Sequence, residues 1–550
     1  MPTTSGAETR HRRARAVHSG RVFAAATAVF FVAMALWSFA TPIYAAPDEP
    51  VQVAKAAAVV RGELVGDTVG APHTAFAKVT VPAFYGLPAN RNAPTCFHRH
   101  PSVPASCEPR LVGGSGSVGA WIYVARYPPL YYAIVGLPSL LGAGTWTIYL
   151  MRLVSALLSS LLIGLAVMVA VSYSRSRAIL IGLVVAVTPM VVFLGGVVNP
   201  SGLEISAAIC VWCAGSVLML EHLHDPPPAL IAVLAGSACV LELIRSLSPF
   251  WLALTGLTLF AVADFRQLRA FFARSQPRVA LFAIVLVGAL ATSWILLERS
   301  TAVYSTTPLG PTPETTILET SFAHNDYYVA DMVGVFGWFD TFAPTFTYIA
   351  WYGLTGVIGL LAAAVARRRQ AAVLGMLCAA ILLLPVAISS SQVHRYGYTW
   401  QGRDTLPLAV GLPILAAGLI GMSPVVRHAR RLASVVVVFA ALAQFGAFFE
   451  ALRRYAVGTK GPDFAFLLHA SWRPPLGFFP LLGVELVVLG VTGVLVAAAQ
   501  RHVPGHVVVR SPGRAGVRLA TLEPTGEAAV AHVGPIEARR GEPEAGAPPG

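Results

Sequence analysis

Charged residues are scarce in this chain of 550 residues. Asp, Glu, Lys and Arg make up only 12%, whereas 56% of the residues are hydrophobic and the mean hydropathy is +0.67. Soluble domains carry about 25% charged residues, roughly twice this fraction. No soluble fold of this length could hide so much apolar surface from water, so the composition predicts an integral membrane protein.

The sequence also lacks the short motifs of nucleotide-dependent and hydrolytic enzymes. It contains no Walker loop, no GxSxG elbow and no HExxH zinc motif. Cytoplasmic ATP chemistry therefore has no support in the sequence.

Negative charge is in deficit, which leaves a formal net charge of +13. Nucleic-acid binding would need a basic patch interleaved with aromatic residues. The basic residues are instead scattered between apolar runs, as the positive-inside rule for cytoplasmic loops predicts. We expect no nucleic-acid partner.

Cysteine is rare, with six residues in the chain. Four of them lie inside apolar runs, where a metal or redox site is not expected: Cys210, Cys213, Cys239 and Cys378. Cys96 and Cys107 instead flank a polar, proline-rich stretch in the first large loop. If that loop lies outside the cytoplasm, the oxidising compartment favours a disulfide between them.

Twelve apolar runs are candidate membrane-spanning helices, for which about 20 apolar residues are needed. The first run, 21–40, is too long for the apolar part of a cleaved signal peptide, so we expect a retained anchor. The others lie at about 147–171, 178–197, 202–220, 228–244, 249–263, 279–297, 345–365, 371–389, 405–422, 432–450 and 479–499. The pattern predicts an all-α polytopic bundle of about 12 transmembrane helices.

The basic loops predict the sidedness. With an even number of spans, both termini are cytoplasmic, and the loops at Arg175, Arg266, Arg367 and Arg427 all lie inside. The large external loops are then 41–146, 298–344, 390–404 and 451–478. Counting the extra apolar stretch 128–141 as a span would place Arg175 outside, so we predict an interfacial helix there.

The domain organisation follows from this topology. We expect a basic cytoplasmic N-terminus at 1–21, a polytopic membrane domain at 22–499 and a disordered cytoplasmic tail at 500–550, which is rich in Gly, Pro, Ala and charge. The segment 51–60 bears Lys55 and would suit an amphipathic helix resting on the membrane face.

An acidic pair follows the first span. Asp48 and Glu49 lie between Pro47 and Pro50, which brace them in a defined turn. A solvated turn that ends the span is one interpretation. The other is a carboxylate at the membrane surface that serves as a general base or a metal ligand.

Two further motifs stand at the external ends of spans. Tyr127 precedes two prolines that suit the first turn of a helix, and its ring suits an interfacial belt. Asn199 can cap the next helix, and Glu204 lies in that helix's first turn, where the dipole favours an anion. Capping and anchoring explain both motifs, but Glu204 could instead face a polar cavity.

The short external loop 390–404 is dense in donors and aromatic residues, among them Arg395, Tyr396, Gln401 and Arg403. Arginine outside the cytoplasm opposes the positive-inside trend, which favours a functional reason. Guanidinium groups bind phosphate through paired hydrogen bonds, so the loop predicts a lipid-linked phosphate donor, with headgroup contact as the alternative.

Lesser candidates are acidic residues elsewhere. Glu242 and Arg245 are three residues apart, so a local ion pair is expected between them. Asp340 precedes a predicted span and could line the same external cavity as the motifs above.

Together these motifs resemble a bacterial membrane family called domain of unknown function 2142, over roughly residues 22–450. The matching segments are the turn at 47–50, the Tyr-Pro-Pro-Leu-Tyr stretch at 127–131, Asn-Pro-Ser-Gly-Leu at 199–203 and Gln-Gly-Arg at 401–403. The family is similar to GT-C glycosyltransferases, which share the acidic residue after the first span and the Pro-Pro-Leu interfacial helix.

The resemblance implies a GT-C-like bundle with interfacial helices in the first external loop, in a bacterial inner membrane. It implies sugar transfer from a polyprenyl-phosphate carrier to an extracytoplasmic glycan or protein acceptor. Asp48 would be the catalytic base, and Glu49 would assist it or bind a divalent cation such as Mg or Mn. Arg395, Arg403 and Gln401 would hold the donor phosphate.

The sequence departs from the family pattern at two positions. Ser201 stands where related sequences usually have Asp, so a metal or substrate role of that Asp is lost or passes to Glu204. Asp404 stands where Tyr is usual. Two alternatives therefore stay open beside the glycosyltransferase: a transporter or flippase for lipid-linked glycan precursors, and a non-catalytic envelope-assembly protein.

Overall fold

The computed structural model describes residues 4–68, 76–111, 114, 116–221, 223, 225–301, 312–423 and 429–501. These residues belong to one compact unit, Met1–Val503. The predicted disordered tail, 500–550, lies outside the described residues except for its first two positions.

The first part of the chain forms one long helix followed by a folded loop. Its elements are α1 (Thr4–Ala40), α2 (Glu49–Val59), β1 (Asp67–Thr68), β2 (Ala77–Pro82), α3 (Ala83–Asn90), β3 (Ser117–Ile122) and α4 (Leu130–Val135). Strands β1, β2 and β3 form an antiparallel sheet in that order, which the sequence patterns did not predict.

The central part is a succession of helices: α5 (Thr145–Ser172), α6 (Ile179–Ala186), α7 (Pro189–Gly195), α8 (Pro200–Leu220), α9 (Pro228–Glu242), α10 (Ser248–Val262), α11 (Phe265–Phe272) and α12 (Ser275–Leu297). The last part contains α13 (Glu314–Ala323), α14 (Asn325–Gly334), the hairpin of β4 (Val335–Phe336) and β5 (Thr341–Phe342), α15 (Thr345–Val365), α16 (Arg368–Tyr396), α17 (Gly402–Ala409), α18 (Gly411–Met422), α19 (Ala429–Val457) and α20 (Phe478–Arg501).

The polytopic α-helical membrane architecture is confirmed. Among the described residues, nine helices are long and apolar enough to cross a membrane, or ten if the pair α10 and α11, bent by 118°, counts as one span. All twelve predicted runs are helical, and the difference in count lies in three of them. The runs at 228–244 and 249–263 form helices of 15 residues, and the run at 178–197 is broken into α6 and α7.

Pro189 explains the break between α6 and α7. Proline has no N–H to donate to the carbonyl four residues earlier, so the carbonyl of Val185 loses its helical partner. The indole of Trp351 donates to that carbonyl at 2.8 Å, and the Gln444 amide donates to the carbonyl of Val187 at 2.9 Å. Thr188 caps the new helix by accepting from the backbone N–H of Val191 at 3.3 Å.

The helix α2 lies differently from the expectation. All eleven of its residues are buried, Lys55 included, so it is not an amphipathic helix resting on the membrane face. It packs against β2, β3, α3 and α4. Its many alanines allow this close approach on every side. The Lys55 ammonium donates to the carbonyls of Leu64 and Ala125 and so connects two distant segments of the folded loop to α2.

Candidate functional site

A cavity of about 1790 Å³ lies where the folded loop meets the ends of several spans. Five of its lining residues recur below: Asp48, Tyr123, Tyr127, Arg245 and Arg403. They come from segments far apart in sequence, so the fold brings distant polar groups to one end of the bundle. We call this space the loop-side cavity.

Asp48 stands in the wall of the loop-side cavity as the cap residue of α2. Its backbone is left-handed, with φ 61° and ψ 3°, a conformation that Asp and Asn adopt more readily than most residues. The Asn199 amide donates to the carbonyl of Pro47 at 3.1 Å and so holds this turn. One carboxylate oxygen of Asp48 accepts from the Tyr123 hydroxyl at 2.6 Å, and the other pairs with Arg403.

Arg403 is 5% exposed and lies in the first turn of α17. Its Nη2 donates to Asp48, and its guanidinium carbon stands 5.7 Å from the centre of the Phe339 ring. Its Nε and Nη1 are buried and have no hydrogen-bond partner among the described residues. A buried guanidinium with two unused donors is costly unless a ligand satisfies them.

Asp331 of α14 accepts hydrogen bonds from the backbone at Arg403. One of its oxygens accepts from the backbone N–H of Gly402 at 2.7 Å and of Arg403 at 3.4 Å. The other oxygen is buried without a partner among the described residues. Burial raises the pKa of Asp331 to about 7, while the neighbouring Arg403 charge and the two N–H donors lower it.

Arg245 joins two acidic residues in the same region. Its guanidinium pairs with Glu204 at 3.0 Å and with Asp404 at 2.9 Å. The expected local pair with Glu242 is wrong, because Arg245 points to the cavity while one oxygen of Glu242 is buried without a partner. Glu204 also accepts from the Ser248 hydroxyl at 2.7 Å, so both of its oxygens are engaged.

Glu49 lies apart from the loop-side cavity. It is completely buried, and Arg152 donates to its two oxygens at 2.7 and 2.5 Å. The backbone N–H groups of Tyr44 and Val198 also donate to it. The predicted acidic pair is thus divided: Asp48 faces the cavity, and Glu49 faces the protein interior.

The remaining predicted cavity residues fall into two groups. Tyr127, Asp340 and Gln401 line the loop-side cavity. Asn199 and Glu204 do not line it, but each contacts a residue or turn that does. Arg395 and Tyr396 end α16, and their side chains lie outside the described residues.

Cys96 and Cys107 form a disulfide with a Cα–Cα distance of 6.0 Å. The loop that contains them is held by Arg454, which donates to the carbonyls of Phe97 and Val103. Arg454 also pairs with Asp340 at 3.1 Å. The disulfide segment therefore forms part of the wall around the cavity.

The carboxylates of the site do not fit a divalent cation. Among the described residues, no group of three or more His, Cys, Asp or Glu side chains gathers closely enough to hold a metal ion. Asp48, Glu204 and Asp404 are each paired with an arginine, and a cation would have to displace that charge.

The sequence profile of one protein family, described as "Predicted membrane protein (DUF2142)", matches residues 30–412, which is well over half of the chain. The chain belongs to this family. The resemblance drawn from the four short motifs is thereby confirmed.

Two solved structures are similar to this DUF2142 chain, both of ArnT from Cupriavidus metallidurans. The structure bound to undecaprenyl phosphate has 15% sequence identity and a TM-score of 0.40, covering 88% of this chain and 77% of that one. The apo structure has 18% identity and a TM-score of 0.34, covering 68% and 66%. No curated protein matches the sequence.

Sequence reasoning missed several residues of the DUF2142 site. Tyr123 and Asp331 carried no signal, because neither stands in a motif. Arg152 did carry one, since it lies inside the apolar run 147–171, and an arginine within a span needs a buried partner. Ser201, at the position of the usual Asp, is buried, and its backbone N–H donates to the capping side chain of Asn199 at 3.0 Å.

Proposed function

We propose that this DUF2142 chain is a membrane glycosyltransferase of the GT-C type. It transfers a sugar from a polyprenyl-phosphate donor to a hydroxyl group of an extracytoplasmic glycan or protein. The observation that carries the proposal is the pairing of Asp48 with Arg403 in the loop-side cavity, where two buried donors of Arg403 have no partner among the described residues. A base and an unsatisfied anion-binding group thus stand side by side.

The chemistry needs few groups. Asp48 takes the proton of the acceptor hydroxyl as that oxygen attacks the anomeric carbon of the sugar. The new oxygen–carbon bond forms while the bond from the anomeric carbon to the phosphate oxygen breaks. Both electrons of that bond leave with the polyprenyl phosphate, whose growing negative charge Arg403 stabilises.

Other residues take supporting roles in this proposal. Arg245, paired with Glu204 and Asp404, helps to form the wall of the cavity, and Gln401 and Arg395 contribute further donors to the phosphate. Tyr127 and Asp340 shape the cavity that receives the sugar and the acceptor. Glu49 does not touch the substrate but fixes the turn that presents Asp48, through its pair with Arg152.

The location follows from the same proposal. The chain lies in the bacterial inner membrane with both termini in the cytoplasm, so the loop-side cavity opens on the extracytoplasmic face, where lipid-linked sugars are used.

Transport of the lipid-linked sugar is the second candidate, favoured by a different observation. Glu242 of α9 and Glu485 of α20 are buried acidic residues within apolar helices, and each has an oxygen without a partner among the described residues. Protonatable groups in such positions are typical of proton-coupled transporters. A transporter would move the intact donor across a vesicle membrane without releasing polyprenyl phosphate.

The first prediction tests Asp48 directly. Asp48→Asn should reduce sugar transfer from a radiolabelled polyprenyl-phosphate donor by about 100-fold or more, because a general base contributes about 10² to 10⁴ in rate. The measurement is product formation by purified protein in liposomes, with expression and thermal stability matched to the wild type.

Asp67→Asn is the matched control, since Asp67 is an exposed acidic residue of the same loop and does not line the cavity. It should retain full activity. Normal transfer by Asp48→Asn would overturn the assignment, and donor flux without transfer in the wild type would favour the transporter.

A further inference from the structure

The antiparallel sheet of the folded loop has one buried face and one open face. Along β2, buried and exposed residues alternate, and Lys78 and Thr80 are exposed. Their cross-strand partners on β3 are Trp121 and Gly119, which therefore lie on the same side of the sheet. The opposite side packs against α2 and α3. We call the side that carries these four residues the open sheet face.

Trp121 stands where the open sheet face meets the loop-side cavity. The residue is 46% exposed and lines the cavity. The Asn90 amide oxygen accepts from the backbone N–H of Trp121 at 2.9 Å, and the Asn90 amide nitrogen donates to the carbonyl of Gly119 at 2.9 Å. These bonds occupy the outer edge of β3, an end strand of the sheet. The backbone at Trp121 is thus held in place, although nearly half of the residue is uncovered.

Tyr123 connects this tryptophan to Asp48. It follows Trp121 by two positions at the end of an extended strand, so the two side chains lie on the same side, about 7 Å apart. Phe76 packs edge-to-face on the Tyr123 ring, and the Tyr123 hydroxyl donates to Asp48 at 2.6 Å. The spacing is comparable with the length of one sugar unit. An acceptor whose hydroxyl group reaches Asp48 can therefore place its neighbouring sugar ring on Trp121.

We propose that Trp121 is the stacking platform for a carbohydrate acceptor, and that the acceptor chain leaves the loop-side cavity along the open sheet face. The inference rests on the proposed function and selects a glycan rather than a protein as the acceptor. The C–H face of a sugar ring is apolar and packs on an indole, whose ring presents a negative face to it. The hydroxyl groups at the edge of the sugar then meet the hydrogen-bonding groups of Lys78 and Thr80.

A membrane anchor has a different composition. The segment 137–146, which leads into α5, exposes several large apolar side chains, among them Leu141 at 68% and Trp146 at 51%. Such a cluster suits contact with lipid. On the open sheet face, Trp121 is instead accompanied by the ammonium group of Lys78 and the hydroxyl group of Thr80. One aromatic ring among polar groups favours a sugar over a lipid surface.

The test compares kinetic constants for donor and acceptor, with the full-length protein in lipid nanodiscs. The acceptor probe is the polysaccharide fraction released from the envelope of a source strain that lacks this gene, in which acceptor sites are unmodified. Trp121→Ala should raise the KM for this fraction about tenfold, while kcat and the KM for the donor stay within about twofold. Trp121→Phe keeps an aromatic face and should stay within about threefold of the wild type.

Trp146→Ala is the matched control, because Trp146 is exposed to a similar extent but does not line the cavity. It should leave all three constants unchanged. Binding of the same polysaccharide without donor provides a second measurement, in which Trp121→Ala should be about tenfold weaker than the wild type and Trp146→Ala equal to it.

The outcomes separate the two proposals. Sugar transfer with the same acceptor KM in the wild type and Trp121→Ala would overturn the platform and leave the glycosyltransferase standing. A loss of equal size in Trp146→Ala, or no binding of the polysaccharide by the wild type, would also overturn the platform. Binding that depends on Trp121, in a protein that transfers no sugar, would support the carbohydrate site and contradict the glycosyltransferase.

Discussion

Asp331 is a buried acid whose ionisation has a measurable cost. Burial raises its pKa from the ordinary 3.8 to about 7, so between these values the folded protein binds a proton that the unfolded chain has released. Stability should therefore fall as the pH rises through this window and level off above about pH 7.

The substitution Asp331→Asn tests this expectation. It keeps an acceptor for the backbone N–H of Gly402 but removes the charge. This variant should be more stable than the wild type at pH 8, by up to about 4 kcal/mol, and equal to it near pH 4. Thermal unfolding in detergent across this pH range measures the effect. If the stability advantage of the variant over the wild type shrank as the pH rose from 4 to 7, the expected sign would be contradicted.

At this scale, the sequence predicts residue types better than partners. Asp48 and Arg403 were both identified, yet they are 355 positions apart, and no spacing indicates that they touch. Arg245 was assigned to Glu242 because the two are close in sequence. The fold instead offers Glu204 and Asp404, 41 and 159 positions away. Charge pairing in a bundle depends on helix neighbours, which one sequence does not reveal.

The ends of three helices meet at the buried pair formed by Glu49 and Arg152. Arg152 of α5 also donates to the carbonyls of Thr41 and Pro42, just beyond α1, while Glu49 begins α2 and accepts from Val198 before α8. Both side chains are 0% exposed. This one ion pair thus satisfies free backbone groups at the ends of these helices. The turn that carries Asp48 depends on the same helix ends.

Removing one partner leaves a buried charge without compensation. Glu49→Gln should lower stability by about 3–5 kcal/mol, the usual cost of breaking a buried ion pair. The double variant Glu49→Gln with Arg152→Gln should lose less than the sum of the single changes. Chemical denaturation in mild detergent measures all three, with Asp225→Asn as a control, because its pair with Arg274 is exposed. A stable but inactive Glu49→Gln would restore the catalytic role first expected of Glu49.

Hydropathy predicted where the helices lie, but it did not predict where a helix is broken. The run at 178–197 contains the dipeptide Thr188-Pro189, a recognisable break, yet its hydropathy suggested one span. Helix α2 was expected and its burial was not, since Lys55 suggested an amphipathic helix with one solvent-exposed face. Burial of that face depends on the sheet of β1, β2 and β3, which follows later in the chain.

The whole molecule has two ends, and the proposed chemistry depends on which one faces out. Helix α5 begins beside the folded loop and ends near Arg175, so Asp67 and Arg175 mark opposite ends of the bundle, and both are exposed. The arginine distribution predicts that the folded loop is extracytoplasmic.

Cysteine labelling can test that orientation in intact cells. In a background without the four free cysteines, a membrane-impermeant maleimide should label Asp67→Cys and leave Arg175→Cys unlabelled until the cells are opened. Retention of the disulfide between Cys96 and Cys107 in the same preparation would agree with an oxidising compartment. The opposite labelling pattern would place the cavity in the cytoplasm and remove the basis for a polyprenyl-linked donor.

The break between α6 and α7 also constrains how the protein is made. The carbonyls of Val185 and Val187 receive their side-chain donors from Trp351 and Gln444, on helices synthesised more than 160 residues later. Hydrocarbon offers no substitute donor, so this segment cannot settle in lipid when it leaves the ribosome. We expect it to remain in contact with water, the insertion machinery or a chaperone until α19 has been synthesised. We therefore expect this segment to reach its final position only after α15 and α19 have been inserted.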